Sequence, residues 1–123
     1  MRLEEYIATN YGGVEPSAET PGVYILGFLT AAEAFEPTYV GRGDSDVAGR
    51  AQASFDEKLL EEKRAFVSHV MYRAFSNARE AYEEECRLFH ALTPSRRCLN
   101  QMHPARPVGS DINCPVSGCA YAE

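Results

Sequence analysis

The chain lacks a long apolar run and has few positive charges. No apolar stretch approaches the roughly 20 residues that a membrane-spanning helix needs, and MRLEEYIATNYGG at the start has neither the basic beginning nor the apolar centre of an export signal. Both absences favour a cytoplasmic protein with no membrane partner. Lysine and arginine number 12 against 18 aspartates and glutamates, a net charge of −6. This charge argues against tight nucleic-acid binding by bulk electrostatics, because phosphate affinity comes from clustered basic residues.

The chain is also too short for two cores. Its 123 residues, 45% apolar and 24% charged, are typical of one globular domain, so we expect a single domain over residues 1–123. Charge is uneven along this domain. Residues 1–36 hold six carboxylates against Arg2 alone, whereas residues 86–110 hold four arginines and no carboxylate.

Apolar patterning predicts three strands and three helices. Residues 22–29 and 38–41 predict an antiparallel hairpin whose first strand is central and well covered, and residues 65–75 predict a third strand. A short helix is predicted at 3–10, and a second runs from Val47, with Asp44, Ser45 or Asp46 as its cap. The longest is predicted after its cap Ser76 or Asn77 and ends before Pro94. The predicted loops and irregular segments are residues 11–22 and 104–123.

Three consecutive glutamates lie in the last predicted helix. Steps of three and four residues place Glu83 and Glu84 on polar faces, where arginines are available for ion pairs. Glu85 instead falls on the apolar stripe that includes Leu88 and Leu92. A carboxylate on a core-facing stripe needs a cation, a metal or hydrogen bonds to offset its desolvation. Two interpretations stay open, an ion pair at the edge of the core and a functional carboxylate.

An ordered set of short features runs along the chain. GVY at 22–24 and YVG at 39–41 put one tyrosine beside a glycine on each hairpin strand, and Arg50, Glu85 and Asn100 follow in that order. The set resembles the GIY-YIG nuclease family, in particular its small stand-alone bacterial or phage members, over about residues 21–103. The resemblance implies an α+β fold, a small three-stranded antiparallel sheet flanked by helices. Residues 104–123, which contain proline and cysteine, are expected to form an irregular tail because they show little periodicity.

The resemblance also implies an activity and a site. The implied function is a metal-dependent endonuclease that hydrolyses nucleic-acid phosphodiester bonds, with DNA preferred to RNA as the partner. The implied catalytic residues are Tyr24, Tyr39, Arg50, Glu85 and Asn100, and the implied substrate-binding residues are Arg42, His103 and Arg106. Glu85 would hold one Mg²⁺ or Mn²⁺, Arg50 would stabilise charge on the phosphate, and Tyr24 would act as, or orient, the general base.

One departure from the family pattern bears on catalysis. Relatives often have a tyrosine or histidine one turn beyond the helix arginine, where this chain has Ser54, and His69 or Tyr72 could replace it. Ser54 and the net negative charge support an alternative, a domain that keeps the GIY-YIG fold but has lost cleavage and binds nucleic acid or a protein. The enzyme interpretation implies modest, salt-sensitive affinity, with arginines gathered on one side and with targeting by a protein partner or by a structured substrate.

The chain contains four cysteines. Without an export signal they are expected as thiols or metal ligands rather than disulfides. The ligand types for one structural zinc are present in Cys98, His103, Cys114 and Cys119, and CPVSGC resembles a loosened zinc knuckle. Ordinary thiols, with a histidine near the active site, are the favoured interpretation. A small scaffold organised by metal at the tail cysteines is a third possible function.

Overall fold

The computed structural model describes residues 2–12, 20–61 and 66–119. In these segments the order of elements is α1 (Leu3–Asn10), β1 (Gly22–Leu29), β2 (Phe35–Gly43), α2 (Val47–Leu60), β3 (His69–Ala74) and α3 (Ala78–Leu92). The strands form an antiparallel sheet in the order β2-β1-β3. The α+β class, the three-stranded sheet and the central position of β1 are therefore confirmed. Strand β2 is longer than predicted at both ends, and β3, His69–Ala74, is shorter than the predicted 65–75 at both ends.

Side-chain caps begin both long helices where the sequence predicts them. The Asp46 carboxylate accepts a hydrogen bond from the backbone N–H of Gly49 at 2.9 Å, and the Asn77 amide oxygen accepts one from the N–H of Glu80 at 2.9 Å. Each cap satisfies one of the N–H groups that the first turn of a helix leaves without an intrahelical partner. None of the helices in the described segments is long and apolar enough to cross a membrane. The predicted loop at 11–22 falls mainly on residues 13–19, outside the described segments.

Helices cover both faces of the sheet. Because side chains alternate along a strand, Val23 and Ile25 of β1 point to one face, where they form the main core with residues of α1 and α3. Tyr24 and Leu26 point to the other face and pack against Val47 and its neighbours in α2. Strand β1 is buried on both faces, which explains why its sequence is apolar on both.

Helix α1 belongs to the main core. Ile7 and Tyr11 are 1% and 5% exposed and lie in the same cluster as Val23 and Leu88. The core therefore extends beyond residues 21–103, the part of the chain that carries the family resemblance.

The predicted polar position of Glu84 is wrong. Its carboxylate is buried beneath α1, where it accepts hydrogen bonds from the hydroxyls of Tyr6 at 2.6 Å and Tyr11 at 2.9 Å. The guanidinium groups of Arg73 and Arg87 lie 3.5 and 3.7 Å away. The periodicity of α3 alone could not show this, because the hydroxyls come from the N-terminal segment.

The C-terminal segment packs against α3. Residues 104–119 form turns but no helix or strand, as predicted, while residues 120–123 lie outside the described segments. Cys114 is 2% exposed and contacts Tyr82 and Cys86 of α3. The tail is thus anchored on the side of α3 that the sheet leaves uncovered.

Candidate active site

A cleft of about 500 Å³ opens along β2, the edge strand of the sheet. The consecutive residues 39–42 of this strand all line it, although consecutive side chains of a strand point to opposite faces. The cleft therefore reaches around the sheet edge and joins groups from the α2 side and the α3 side. Of the residues predicted from the sequence, it brings together Tyr24, Tyr39, Arg42, Arg50, Glu85, Asn100 and His103. Arg106 is not among the lining residues.

The two tyrosines meet on the α2 face. Tyr24 pairs with Gly41 across β1 and β2, and Tyr39 lies two residues before Gly41, so both rings point the same way. The ring centroids are 6.3 Å apart and the planes are inclined by 28°. A Cβ atom at position 41 would collide with the ring and hydroxyl of Tyr24. Position 41 must therefore be glycine, because the Tyr24 ring of the neighbouring strand occupies the space that a side chain would need.

The Tyr24 hydroxyl is held by Ser54. The two hydroxyls share a short hydrogen bond inside the core. Burial raises the pKa of Tyr24 well above the ordinary tyrosine value, and the hydrogen bond with Ser54 opposes this effect only in part. Tyr24 therefore keeps its proton at neutral pH. Of the two candidates to replace the family's second aromatic, Tyr72 packs opposite Tyr24 and His69 is exposed beside Gly27, and neither lines the cleft.

Glu85 is buried, as its place on the apolar stripe of α3 predicts, and is 7% exposed. Its Oε1 receives a hydrogen bond from Nη1 of Arg42 at 2.6 Å, and Nε of Arg42 lies 2.5 Å from Oδ1 of Asp44. The Arg42 guanidinium also stacks over the Tyr82 ring, 5.2 Å from its centroid. Burial raises the pKa of Glu85 to about 7, with the Arg42 charge and hydrogen bond acting in the opposite direction.

The two interpretations of Glu85 are compatible. It makes an ion pair at the edge of the core, and its carboxylate also lines the cleft. Its second oxygen, Oε2, makes no hydrogen bond to another residue of the described segments. One carboxylate oxygen is therefore committed to Arg42, and the other is left for a ligand.

One face of α2 supplies the remaining charges of the cleft. Arg50 is exposed, and it lines both the cleft and an adjoining depression of about 590 Å³. Further along the helix, Glu57, Lys58 and Glu61 line the cleft, and Nζ of Lys58 lies 4.7 Å above the Tyr39 ring. Sequence reasoning missed these three residues. The signal was available, because positions 50, 54, 57, 58 and 61 share one helical face.

Asn100 binds the edge of β2. Its amide nitrogen donates to the carbonyl oxygen of Val40 at 2.9 Å, and its amide oxygen accepts from the Val40 N–H at 3.0 Å. Next to it, the N–H of Leu99 donates to the carbonyl oxygen of Thr38 at 2.7 Å. These bonds continue the pairing pattern of the sheet and hold the segment after α3 against β2, so Asn100 fixes one wall of the cleft.

The predicted gathering of arginines reaches the cleft only through Arg42 and Arg50. Arg87 pairs with Glu84, and Arg97 pairs with Glu36 at 2.8 Å. Nη2 of Arg106 lies 3.3 Å from the side-chain oxygen of Asn113. Among the described residues, the cleft lining carries as many acidic as basic side chains: Glu57, Glu61 and Glu85 with Arg42, Arg50 and Lys58.

A second group of side chains can hold a metal ion. It consists of His90, His103, Cys114 and Cys119, whose ligand atoms all lie within 4.8 Å of one another. The predicted ligand Cys98 is not part of it, because its sulfur faces the carbonyl oxygen of Asn100 at 3.9 Å. His90, in the last turn of α3, takes its place. The missed signal is the spacing of four residues between Cys86 and His90, which puts both on the helix face that the tail covers.

Comparison of the chain with protein-family models, with curated proteins and with solved structures gives no match in any of the three. Function is therefore inferred from the residues of this chain and their contacts.

Proposed function

We propose that the chain is a metal-dependent endonuclease whose active site is the cleft along β2. The observation that carries the proposal is that residues distant in the sequence meet in one cleft. Two strand tyrosines, an arginine of α2, a buried glutamate of α3 and an asparagine beyond α3 share one cleft, although they come from five separate parts of the chain. These are the residues that the resemblance to GIY-YIG nucleases selects in the sequence.

Glu85 is the proposed ligand of one Mg²⁺ or Mn²⁺. Its free Oε2 fits a hard cation, which binds oxygen and accepts few protein ligands when it keeps most of its water. A divalent ion bound there polarises a phosphoryl oxygen and lowers the pKa of bound water. The Arg42 guanidinium, 2.6 Å from Oε1, holds the carboxylate in place. Its positive charge also opposes a neighbouring cation, so we propose weak metal affinity in the absence of substrate phosphate.

Arg50 is the proposed phosphate ligand. It is exposed at the junction of the two cavities, so its planar set of N–H donors can approach two phosphoryl oxygens. Charge develops on these oxygens as water adds to phosphorus and the ester bond breaks, and a fixed guanidinium stabilises that charge. The adjoining depression extends from Arg50 past Asp44 and Asp46. It offers a path for the strand on one side of the cleaved bond.

Tyr24 is proposed to position the attacking water rather than to remove its proton. The raised pKa and the Ser54 hydrogen bond make a tyrosinate at neutral pH unfavourable. A protonated hydroxyl in this place donates or accepts one hydrogen bond and orients its partner. Tyr39, whose ring lies beneath Lys58, forms the opposite side of the same floor.

A second function is favoured by specific contacts. Arg42 already neutralises Glu85, Ser54 stands where relatives have an aromatic, and the cleft carries balanced charge. A binding module for nucleic acid or for a protein, without cleavage, accounts for the same contacts.

The deciding experiment is a cleavage assay with Mg²⁺ or Mn²⁺ on branched, duplex and single-stranded DNA and on RNA. We expect cleavage of DNA that Glu85→Gln and Arg50→Ala each reduce by about 10²-fold or more, the scale for loss of one transition-state group. Glu83→Gln and Arg79→Ala are matched controls, since they alter the same residue types on helical positions outside the cleft lining.

The outcomes separate the two functions. Cleavage that survives Glu85→Gln, or that the control variants reduce equally, contradicts the proposed site. Binding of a substrate without cleavage under every metal condition establishes the binding module instead.

A further inference from the structure

We propose that His90, His103, Cys114 and Cys119 form a structural zinc site, distinct from the proposed cation at Glu85. Two histidine nitrogens and two cysteine sulfurs are a common ligand set of closed, tetrahedral zinc centres. The set joins the last turn of α3 to the tail. Among the described residues, no strand pairing links these two parts of the chain.

The ligand spacing fits a zinc coordination shell. Sγ of Cys114 lies 3.7 Å from Nε2 of His90, and Sγ of Cys119 lies 3.4 Å from Nε2 of His103. Tetrahedral zinc with ordinary Zn–S and Zn–N bonds places sulfur and nitrogen about 3.6 Å apart. All four atoms lie within 4.8 Å of one another, so movements of about 1 Å close the shell.

The local backbone brings the two cysteines together. The four residues between Cys114 and Cys119 are at the upper end of the spacing found in zinc sites. The N–H of Cys119 donates to the carbonyl oxygen of Val116 at 3.3 Å, and Gly118 has a φ of 84°. This left-handed conformation suits glycine and turns the chain back toward Cys114.

The orientation of His103 provides a second, independent observation. Its Nδ1 lies 2.9 Å from the carbonyl oxygen of Pro104, and because a carbonyl only accepts, Nδ1 must carry the hydrogen. The lone pair is then on Nε2, the nitrogen that faces Cys119. A histidine that donates its other N–H to a backbone carbonyl is the usual arrangement around a bound metal.

The charge and burial of the site agree with a structural role. Two thiolates balance the charge of Zn²⁺, so the centre is neutral overall and suited to a site where Cys114 is 2% exposed. Four protein ligands leave no open position for a substrate. The ring of Phe89 packs edge-on against both imidazoles, with centroids 5.4 Å from each, and shields the ligands on one side.

The zinc site would also shape the proposed active site. Residues 103–105 line the cleft along β2, and His103 belongs to both the cleft wall and the metal cluster. Its two ring nitrogens are directed to Pro104 and Cys119. We therefore assign His103 a positioning role in place of the substrate contact predicted from the sequence.

The test is metal analysis of the full chain, expressed in zinc-supplemented medium and purified under reducing conditions. We expect about one zinc per chain. His90→Ala and Cys119→Ser should each lose it. The matched controls are His69→Gln, which changes the exposed histidine of β3, and Cys98→Ser, which changes the cysteine that faces Asn100; both should retain it.

A second measurement covers variants that fail to fold. Wild-type protein stripped with a strong chelator is titrated with Co²⁺, whose visible absorption reports tetrahedral thiolate coordination. Saturation at about one equivalent is expected, together with protection of two cysteines from a thiol reagent. Absence of saturable Co²⁺ binding by folded protein would overturn the proposal. So would a Cys114–Cys119 disulfide in protein isolated under reducing conditions, or zinc retained by both ligand variants. None of these readouts depends on nuclease activity.

Discussion

At the scale of single residues, the site depends on a close contact between a glycine and an aromatic ring. Gly41 lies opposite Tyr24, and the ring crosses the place where any other residue would carry its Cβ. Because the collision involves both the ring and the hydroxyl, a small adjustment of one atom cannot relieve it.

Gly41→Ala is expected to destabilise the fold by about 1–3 kcal/mol, the usual cost of overpacking a core. It should also displace the Tyr24 hydroxyl from Ser54. The measurement is chemical denaturation, which gives the loss of stability caused by Gly41→Ala in the wild-type protein and in a Tyr24→Ala background. The substitution should cost less in the second background, where the space is vacant. Equal costs in both would show that the ring does not require the glycine.

Glu85 illustrates a conflict between stability and function. Its folded pKa of about 7 exceeds the ordinary glutamate value of 4.5 because burial disfavours the charged form, despite Arg42. The folded protein thus binds this proton more tightly than the unfolded chain does. The stability contributed by the protonated carboxyl is complete below about pH 4.5 and is lost as the pH rises to about 7.

In metal-free protein, Glu85→Gln should therefore gain stability relative to wild type as the pH rises from about 5 to 8. The gain should be on the order of 1–3 kcal/mol. Arg42 keeps Asp44 as a partner in this variant, so no guanidinium is left without a counter-charge. Urea denaturation across this range is the measurement, with Glu83→Gln as the baseline for loss of a carboxylate from α3. A stability difference that is constant with pH would contradict the buried, proton-binding carboxyl.

At the scale of elements, a buried carboxylate of α3 helps to attach α1 and the residue that follows it. The hydroxyls of Tyr6 and Tyr11 converge on Oε2 of Glu84, and Arg73 lies near the same oxygen. Helix α1 is only eight residues long and would be marginal in isolation. Its docking therefore depends on Ile7 in the core and on these hydrogen bonds.

Glu84→Gln replaces a charged acceptor by a neutral amide, and Tyr11→Phe removes one of the hydroxyls that donate to Oε2, so each should destabilise the protein by about 1–3 kcal/mol. Their effects should be less than additive in the double variant, because Glu84→Gln weakens the same hydrogen bond that Tyr11→Phe removes. Denaturation of the two single variants and the double variant measures this coupling. Full additivity would show that Glu84 and Tyr11 act independently.

The segment after α3 is attached to the sheet by a comparable device. Asn100→Ala removes two hydrogen bonds from Val40 and should cost about 1–3 kcal/mol. It should also speed amide hydrogen exchange at Val40, whose N–H donates to Asn100. Gln101→Ala, at the exposed neighbouring position, should change neither quantity. Unchanged exchange at Val40 in Asn100→Ala would mean that the asparagine does not hold this edge.

These elements show what local sequence could and could not specify. Alternating apolar residues and the caps Asp46 and Asn77 are local signals, and they predicted the three strands and the starts of both long helices, although the ends of β2 and the start of β3 differ. The inward position of Glu85 followed from helical period alone. The burial of Glu84 did not, because it depends on where a distant helix docks. The exchange of Cys98 for His90 in the metal cluster has the same cause, since it depends on the path of an irregular tail.

At the scale of the whole molecule, charge limits what the proposed enzyme can bind. The net charge of −6 repels a polyanion, and the cleft itself carries balanced charge. Of its basic groups, Arg42 is committed to Glu85 and Asp44, whereas Arg50 is exposed and Lys58 lies over Tyr39. Arg50 is therefore the uncommitted cation, whereas Lys58 also pairs with Glu61 at 3.6 Å and must exchange that partner for a phosphate, so at most two cations of the described cleft lining can contact phosphates.

Binding of labelled duplex DNA, measured by anisotropy in the presence of a chelator, tests this balance. The logarithm of the affinity should fall against the logarithm of salt concentration with a slope of about −2, as two phosphate contacts require. Arg50→Ala should reduce the slope by about one, whereas Arg79→Ala, on α3 outside the cleft lining, should leave it unchanged. A slope near −5 that is the same in wild type and in Arg50→Ala would show that the nucleic acid binds to another surface. A shallow slope that depends on Arg50 would instead show that DNA binds in this cleft. Electrostatic attraction of this size cannot hold DNA tightly at physiological salt. Selectivity must then come from the shape of the substrate or from a partner protein.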